Sequence, residues 1–226
     1  RVYFDDLIVE DQQEDTLATI GTFYTNIAHF DIEQLRFSLD EVGLSNATFR
    51  LAKKAGDKNT NLQFLIDYFS SDTTAGESDF SLRIAHLHID NSQFFYNDHH
   101  HKVIDFGIDY NHLGLTALNV KANSIYITPK IYQAHLKHMA VKERSGFSLS
   151  KFQGKAEFSK KRGLQLRNGK IKTPSSLIHV PRFDLVIKDM SDFRSFTERV
   201  ALNSHISSQA LSLYDVSLFA SQLRGM

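Results

Sequence analysis

Histidine is the residue type in this chain best suited to chemistry, with 11 copies, some of them clustered. His86 and His88 alternate with Leu87 and Ile89, so a strand here puts both imidazoles on the face opposite the apolar one. His99, His100 and His101 follow in a turn. A strand His-x-His with a turn histidine nearby could hold zinc or copper, but no well-spaced carboxylate or second ligand pair completes a four-ligand set. Solvated surface histidines are therefore the expectation, with no metal. His135 and His138, three apart, should fall on opposite faces of a strand. Cysteine is absent, which removes thiol catalysis, zinc-thiolate sites and disulfides together. No GxSxG elbow, P-loop, GxGxxG or HExxH occurs. Asp105 and Asp109 flank Phe106 and Ile108 and serve to keep an outer face wet. No general acid or base stands out, so the expectation is a protein that is not an enzyme and needs no cofactor.

Lys plus Arg (26) balance Asp plus Glu (26), and the densest basic run is the short SKKR at 159–162. A surface that tracks phosphates needs a basic excess, so nucleic acid is set aside as a partner. The chain begins at Arg1 without an initiator Met, signal peptide or membrane span, and is read as an internal segment of a larger polypeptide. With 18 Phe, 11 Gly and 3 Pro, turns should be loose and polar rather than tight Asn-Gly hairpins.

The elements that carry these residues read as strands. Apolar residues recur at period two: Val2, Phe4, Leu7 and Val9, then Leu35, Phe37 and Leu39, then Val42 and Leu44, then Phe49 and Leu51. The phase slips by one residue between runs, which points to bulges that bend the sheet. Four stretches share an Asn-centred motif, GLSNATFRL at 43–51, HIDNSQFFY at 88–96, VKANSIYI at 120–127 and LRNGKIKT at 166–173. Each reads as a strand that ends, turns at the Asn and restarts on the same buried face. Asn46 to Asn91 and Asn123 to Asn168 are both 45 residues apart, a degenerate repeat. Two short amphipathic helices are expected, 62–69 capped by Asn61 and 192–200 capped by Ser191, packed on the sheet or plugging an edge or end. The whole chain, 1–226, reads as one continuous unit, with sub-repeats 1–69 and 79–226 joined by the polar loop 70–78. Two such helices cannot cover sixteen or so strands of about five to six residues each. An ordinary core under a second sheet is the competing arrangement. The expected fold class is mostly β, an elongated curved sheet folded on itself as a β-taco, or repeating β-groove, with an apolar interior.

Several strings resemble the TamB and AsmA-like family, in its Bacteroidota-type branch. Residues 8–17 (IVEDQQEDTL) resemble its strand, acidic turn and Asp-Thr-Leu near the start. Residues 61–69 are similar to its NFQFLIDAF helix, 145–178 to its Ser-Gly-apolar strand with a Leu-x-x-Thr-x-x-Ser unit, and 192–219 to its DF-x-x-F helix and following run. The order is collinear over nearly the whole chain, without the family's membrane anchor or its C-terminal domain. The resemblance implies a periplasmic segment, anchored to the inner membrane in the full-length protein of a Gram-negative envelope. It implies lipid transfer, phospholipid acyl chains lying along a hydrophobic groove between inner and outer membranes. The alternative is a scaffold for outer-membrane protein translocation and assembly with a barrel partner of the TamA or BamA type. A rigid spacer is a third reading. Expected groove-lining residues are Phe37, Leu39, Phe49, Leu51, Leu82, Ile84, Phe94, Tyr96, Phe106, Ile108, Leu113, Leu115, Ile125, Ile127, Phe147, Leu149, Phe158, Leu164, Leu166, Leu185 and Ile187.

Overall fold

The computed structural model describes residues 1–64, 80–159, 161–186 and 201–219. They form one open ten-stranded sheet, in sequence order from edge to edge: β1 (Val2–Glu10), β2 (Thr16–Asp31), β3 (Arg36–Lys53), β4 (Ser81–Asp98), β5 (His112–Ile127), β6 (Ile131–Glu143), β7 (Ser148–Ser159), β8 (Gly163–Lys172), β9 (Leu177–Val186) and β10 (Ala201–Ala210). The helix α1 (Leu213–Phe219) follows. Every neighbouring pair is antiparallel except β3 and β4, which are parallel. Among the described residues each strand touches only its sheet neighbours, so no second strand layer lies over either face.

Ten long strands replace the sixteen short ones expected, and the reason lies in the Asn-centred motifs. The chain does not turn at them. Asn46, Asn91 and Asn168 sit inside β3, β4 and β8 with left-handed φ of 52°, 44° and 53°. In the third motif the left-handed residue is Ser124, at 53°, rather than Asn123. Asn tolerates this region better than other non-glycine residues because its short amide bonds locally. One left-handed residue re-aims a strand without ending it, so the apolar phase passes from Val42 and Leu44 to Ala47, Phe49 and Leu51 within one strand.

Three kinks line up with a glycine between them. Asp6 of β1 (φ 55°), Gly21 of β2, Asn46 of β3 and Asn91 of β4 occupy one row, bracketed by the pairs Asp5–Thr22, Leu7–Ile20, Thr22–Ser45 and Ile20–Ala47. Asn91 Nδ2 donates to Asn46 Oδ1 at 2.8 Å, and the Asn119 amide oxygen accepts from the Asn91 backbone N–H at 3.1 Å. The 45-residue spacing of Asn46 and Asn91 is the parallel register itself, since every β3–β4 partner differs by 45, as in Phe37–Leu82 and Phe49–Phe94. The second 45-residue interval has no such meaning, because β5 and β8 are not neighbours.

One end of the sheet is closed by loops and by α1. Asp109 organises the loop at 99–111: its carboxylate accepts from the amides of Ile104 (3.0 Å) and Asn111 (3.0 Å), His112 Nδ1 lies 3.0 Å away, and the Arg144 guanidinium donates at 3.3 Å. Asp109 thus folds a loop rather than wetting an outer strand face, and it is buried. The helix α1 docks there. Asp215 accepts from the hydroxyls of Thr173 (2.6 Å) and Ser176 (2.5 Å), the Ile108 amide donates to the Leu218 carbonyl at 2.8 Å, and Leu218 is 1% exposed. Of the expected helix 62–69 only 62–64 are described. There Asn61 pins the end of β3, its Oδ1 accepting from the Ala52 amide at 2.9 Å and its Nδ2 donating to the Arg50 carbonyl. The helix expected at 192–200 and the loop at 70–78 lie outside the described residues.

Candidate functional site

Directly opposed residues in a sheet share a face, so register decides which side chains form a common surface. Phe37, Leu82 and Ile127 form one row, which Tyr132, Phe158, Leu164, Leu185 and Leu202 extend to β10. Phe23, Leu44, Ile89, Val120, Met139, Phe152, Ile171 and Ile178 form a second, from β2 to β9. Phe49, Phe94 and Leu115 form a third, and Leu51, Tyr96 and Leu113 a fourth. The rows stay on one side through the kinks. Val120 and Ala122 pack in one cluster with Ile125 although the period changes at Ser124, and Ile84, Leu87, Leu136 and Met139 join it.

At the β7–β10 side the same face holds an apolar concavity of about 600 Å³, lined by Phe152, Leu164, Leu166, Ile171, Val180 and Phe183 among others. Leu166 and Ile171 both line it across the kink at Asn168, as Phe183 and Val180 do across Pro181.

Most of the expected lining residues fall into these rows. Ile84 pairs with Leu39 on one side and Ile125 on the other, and Leu149 pairs with Val141 on the same face. Three do not lie on strands. Phe106 and Ile108 belong to the loop at 99–111, where Ile108 is buried against α1, and their alternation comes from a loop with alternating polar residues. Phe147 precedes β7 and meets the Phe219 ring edge-on at 4.8 Å, so it packs at the closed end. Ile187 lies outside the described residues.

The opposite face is polar, and its histidines are better organised than their spacing suggests. His135 pairs with Asn123 and His138 with Lys121, so the two share this face, because β6 carries an extra residue between Leu136 and His138. His86 pairs with Asn123 from the other side and His88 with Lys121. His179 and His205 continue on β9 and β10, opposite Lys170 and Arg182. Burial, with Lys137 and Lys155 nearby, pushes the His135 imidazole below its usual pKa. The turn histidines are elsewhere: His100 Nδ1 contacts Asp98 at 2.8 Å at the end of β4. Among the described residues no three His, Asp or Glu side chains converge as metal ligands.

The buried carboxylates are engaged in structure. Burial raises the pKa of Asp109, but the Ile104 and Asn111 amides and His112 outweigh it and hold the carboxyl below the usual range. Asp184 is held low in the same sense, its burial outweighed by Arg182 and Arg167, each at 2.5 Å. Chemically the chain offers two surfaces of unlike character on the two sides of one sheet. No protein-family model matches the chain, and no curated protein does. No helix among the described residues is long and apolar enough to cross a membrane.

Proposed function

We propose that the apolar face carries phospholipid acyl chains, as part of a TamB and AsmA-like bridge between the inner and outer membranes of a Gram-negative envelope. The observation that carries this reading is the continuity of two apolar rows, one from β2 to β9 and one from β3 to β10, which stay on one side of the sheet across the kinks. An acyl chain needs such a track. Each methylene withdrawn from water contributes about 0.8 kcal/mol, and a break of one strand width would expose several. The sheet curls into a groove in this reading, with the rows inside and the phosphate head group at its open lip. The concavity beside Phe152 and Phe183 is then one stretch of the track.

The test is a photoreactive amino acid in place of Phe94, in the middle of its row, together with native mass spectrometry of the purified protein. Phospholipid crosslinked at position 94 and co-purified at defined stoichiometry is the expected result. Failure of both, with the protein folded, overturns the proposal. Phe94→Asp should abolish lipid retention, since an unpaired carboxylate in a dry track costs several kcal/mol.

A second reading, assembly of outer-membrane barrel strands, is favoured by one observation: all ten residues of the edge strand β10 are exposed. An open edge can add a strand from another chain. Crosslinks from position 94 to unfolded barrel protein rather than lipid would select it.

A further inference from the structure

The zero net charge of the chain conceals a sharp division. Residues 1–119 hold 19 Asp and Glu against 8 Lys and Arg, and residues 120–226 hold 7 against 18. Register collects much of the second excess on one surface. Lys121 of β5, Lys142 of β6, Lys151 and Lys155 of β7, and Lys170 and Lys172 of β8 all lie on the polar face, since each pairs with a residue of that face or alternates with an apolar-face neighbour. Among the described residues none of these six has a carboxylate partner. The carboxylates of this face within β6–β9 are Glu157 and Asp184, and both are already engaged, Glu157 by Arg162 and Gln133, and Asp184 by Arg167 and Arg182. A concavity of about 540 Å³ bordered by His135, Lys155, Arg162 and Arg167 lies within this surface.

We infer that the polar face of β5–β9 is a docking surface for an anionic phospholipid bilayer. The cations favour a plane of charge over a single phosphate or a threaded strand. They are spread over four strands about 4.8 Å apart, not focused on one point. All six lysines are exposed on their strands, so their charges can face one surface together. Lysine is a flexible, strongly hydrated point charge that suits diffuse attraction to head groups, which adds with each cation near the surface and is screened by salt. Docking through this face is independent of what the apolar face carries.

The test is flotation of the purified chain with vesicles of phosphatidylcholine alone and with vesicles in which a third of the lipid is phosphatidylglycerol. Binding should be at least about tenfold stronger to the anionic vesicles and should fall steeply as salt is raised. The triple variant Lys155→Glu, Lys170→Glu, Lys172→Glu should lose that preference, while the same three positions changed to Arg should keep it. Lys58→Glu, an exposed change outside this face, should have no effect. Equal binding to neutral and anionic vesicles, a folded triple Glu variant that binds as well as the parent, or binding to a single-stranded oligonucleotide but not to anionic vesicles would each overturn the inference.

Discussion

Replacing Asn46 tests whether the Asn-centred motif is a kink inside a strand. Its φ of 52° places Cβ against the following carbonyl, a conformation that costs an ordinary L-residue about 1–2 kcal/mol. Asn46→Val incurs that cost, with a branched side chain that fits the region worst. It also loses the 2.8 Å bond from Asn91 Nδ2, which is exposed and contributes at the low end of the usual range, about 0.5 kcal/mol. The sum is about 2 kcal/mol. Asn46→Gly loses the same hydrogen bond but adopts positive φ freely, so it should cost about 0.5 kcal/mol. With a urea slope of about 2 kcal/mol/M, the Val variant should unfold about 1 M earlier than the parent and the Gly variant within about 0.3 M of it. Equilibrium urea unfolding followed by far-UV circular dichroism reads both. A Val variant no less stable than the Gly variant would refute a left-handed residue at this position, and with it the account of how the apolar phase is kept. A Val variant that removes the kink by shifting register would move Phe49 and Leu51 to the polar face, and would show as new dye binding to exposed apolar surface.

Two further outcomes concern the closed end. Asp215→Ala removes the acceptor shared by Thr173 and Ser176, two hydrogen bonds to a charged group worth about 1.5–3 kcal/mol each, and should release α1. Hydrogen exchange checks this: protection of the Ile108 amide, which donates to the Leu218 carbonyl, should be lost while amides in the middle of β4 and β5 keep theirs. The depressed pKa of Asp109 makes the loop at 99–111 acid-sensitive. Because the folded value lies below the unfolded one, the stability it contributes is fully present above the unfolded carboxylate pKa of about 3.9 and is lost as pH falls through the folded value. Exchange of the Ile104 and Asn111 amides should therefore accelerate below about pH 4, and Asp109→Asn should abolish that acid step.

The period-two runs and their slips were legible because burial on one face writes itself into every second residue, and an inserted residue shows directly as a change of parity. What the slip means is not written there. A left-handed Asn inside a strand and an Asn at a strand end have the same neighbours in sequence, so Asn46, Asn91 and Asn168 read as ends, and the sequence predicts shorter and more numerous strands than the ten of the sheet. Phe106, Ile108 and Phe147 show the converse, an alternation with no strand behind it, because a loop folded around Asp109 also places residues alternately in and out. The helix α1 left no clear pattern. Its seven residues are held by Asp215 and by Leu218 under the loops, contacts that come from distant segments. The cationic face was hidden by summation, since a count over 226 residues cancels two halves of opposite sign.

One device makes both surfaces. An extra residue in a strand flips every later side chain, so a kink that returns leucines to the apolar side must return the residues between them to the other. The insertion between Leu136 and His138 keeps Leu136 and Met139 in one apolar cluster, and by the same step it brings His138 beside His135. The kink at Asn168 keeps Leu166 and Ile171 in one concavity while it leaves Arg167 and Lys170 together on the polar side. Correcting the phase for packing thus sorts charge at no further cost in sequence. A change that removes either kink should damage both faces together, whereas substitutions at Phe94 or Lys155 should damage only one.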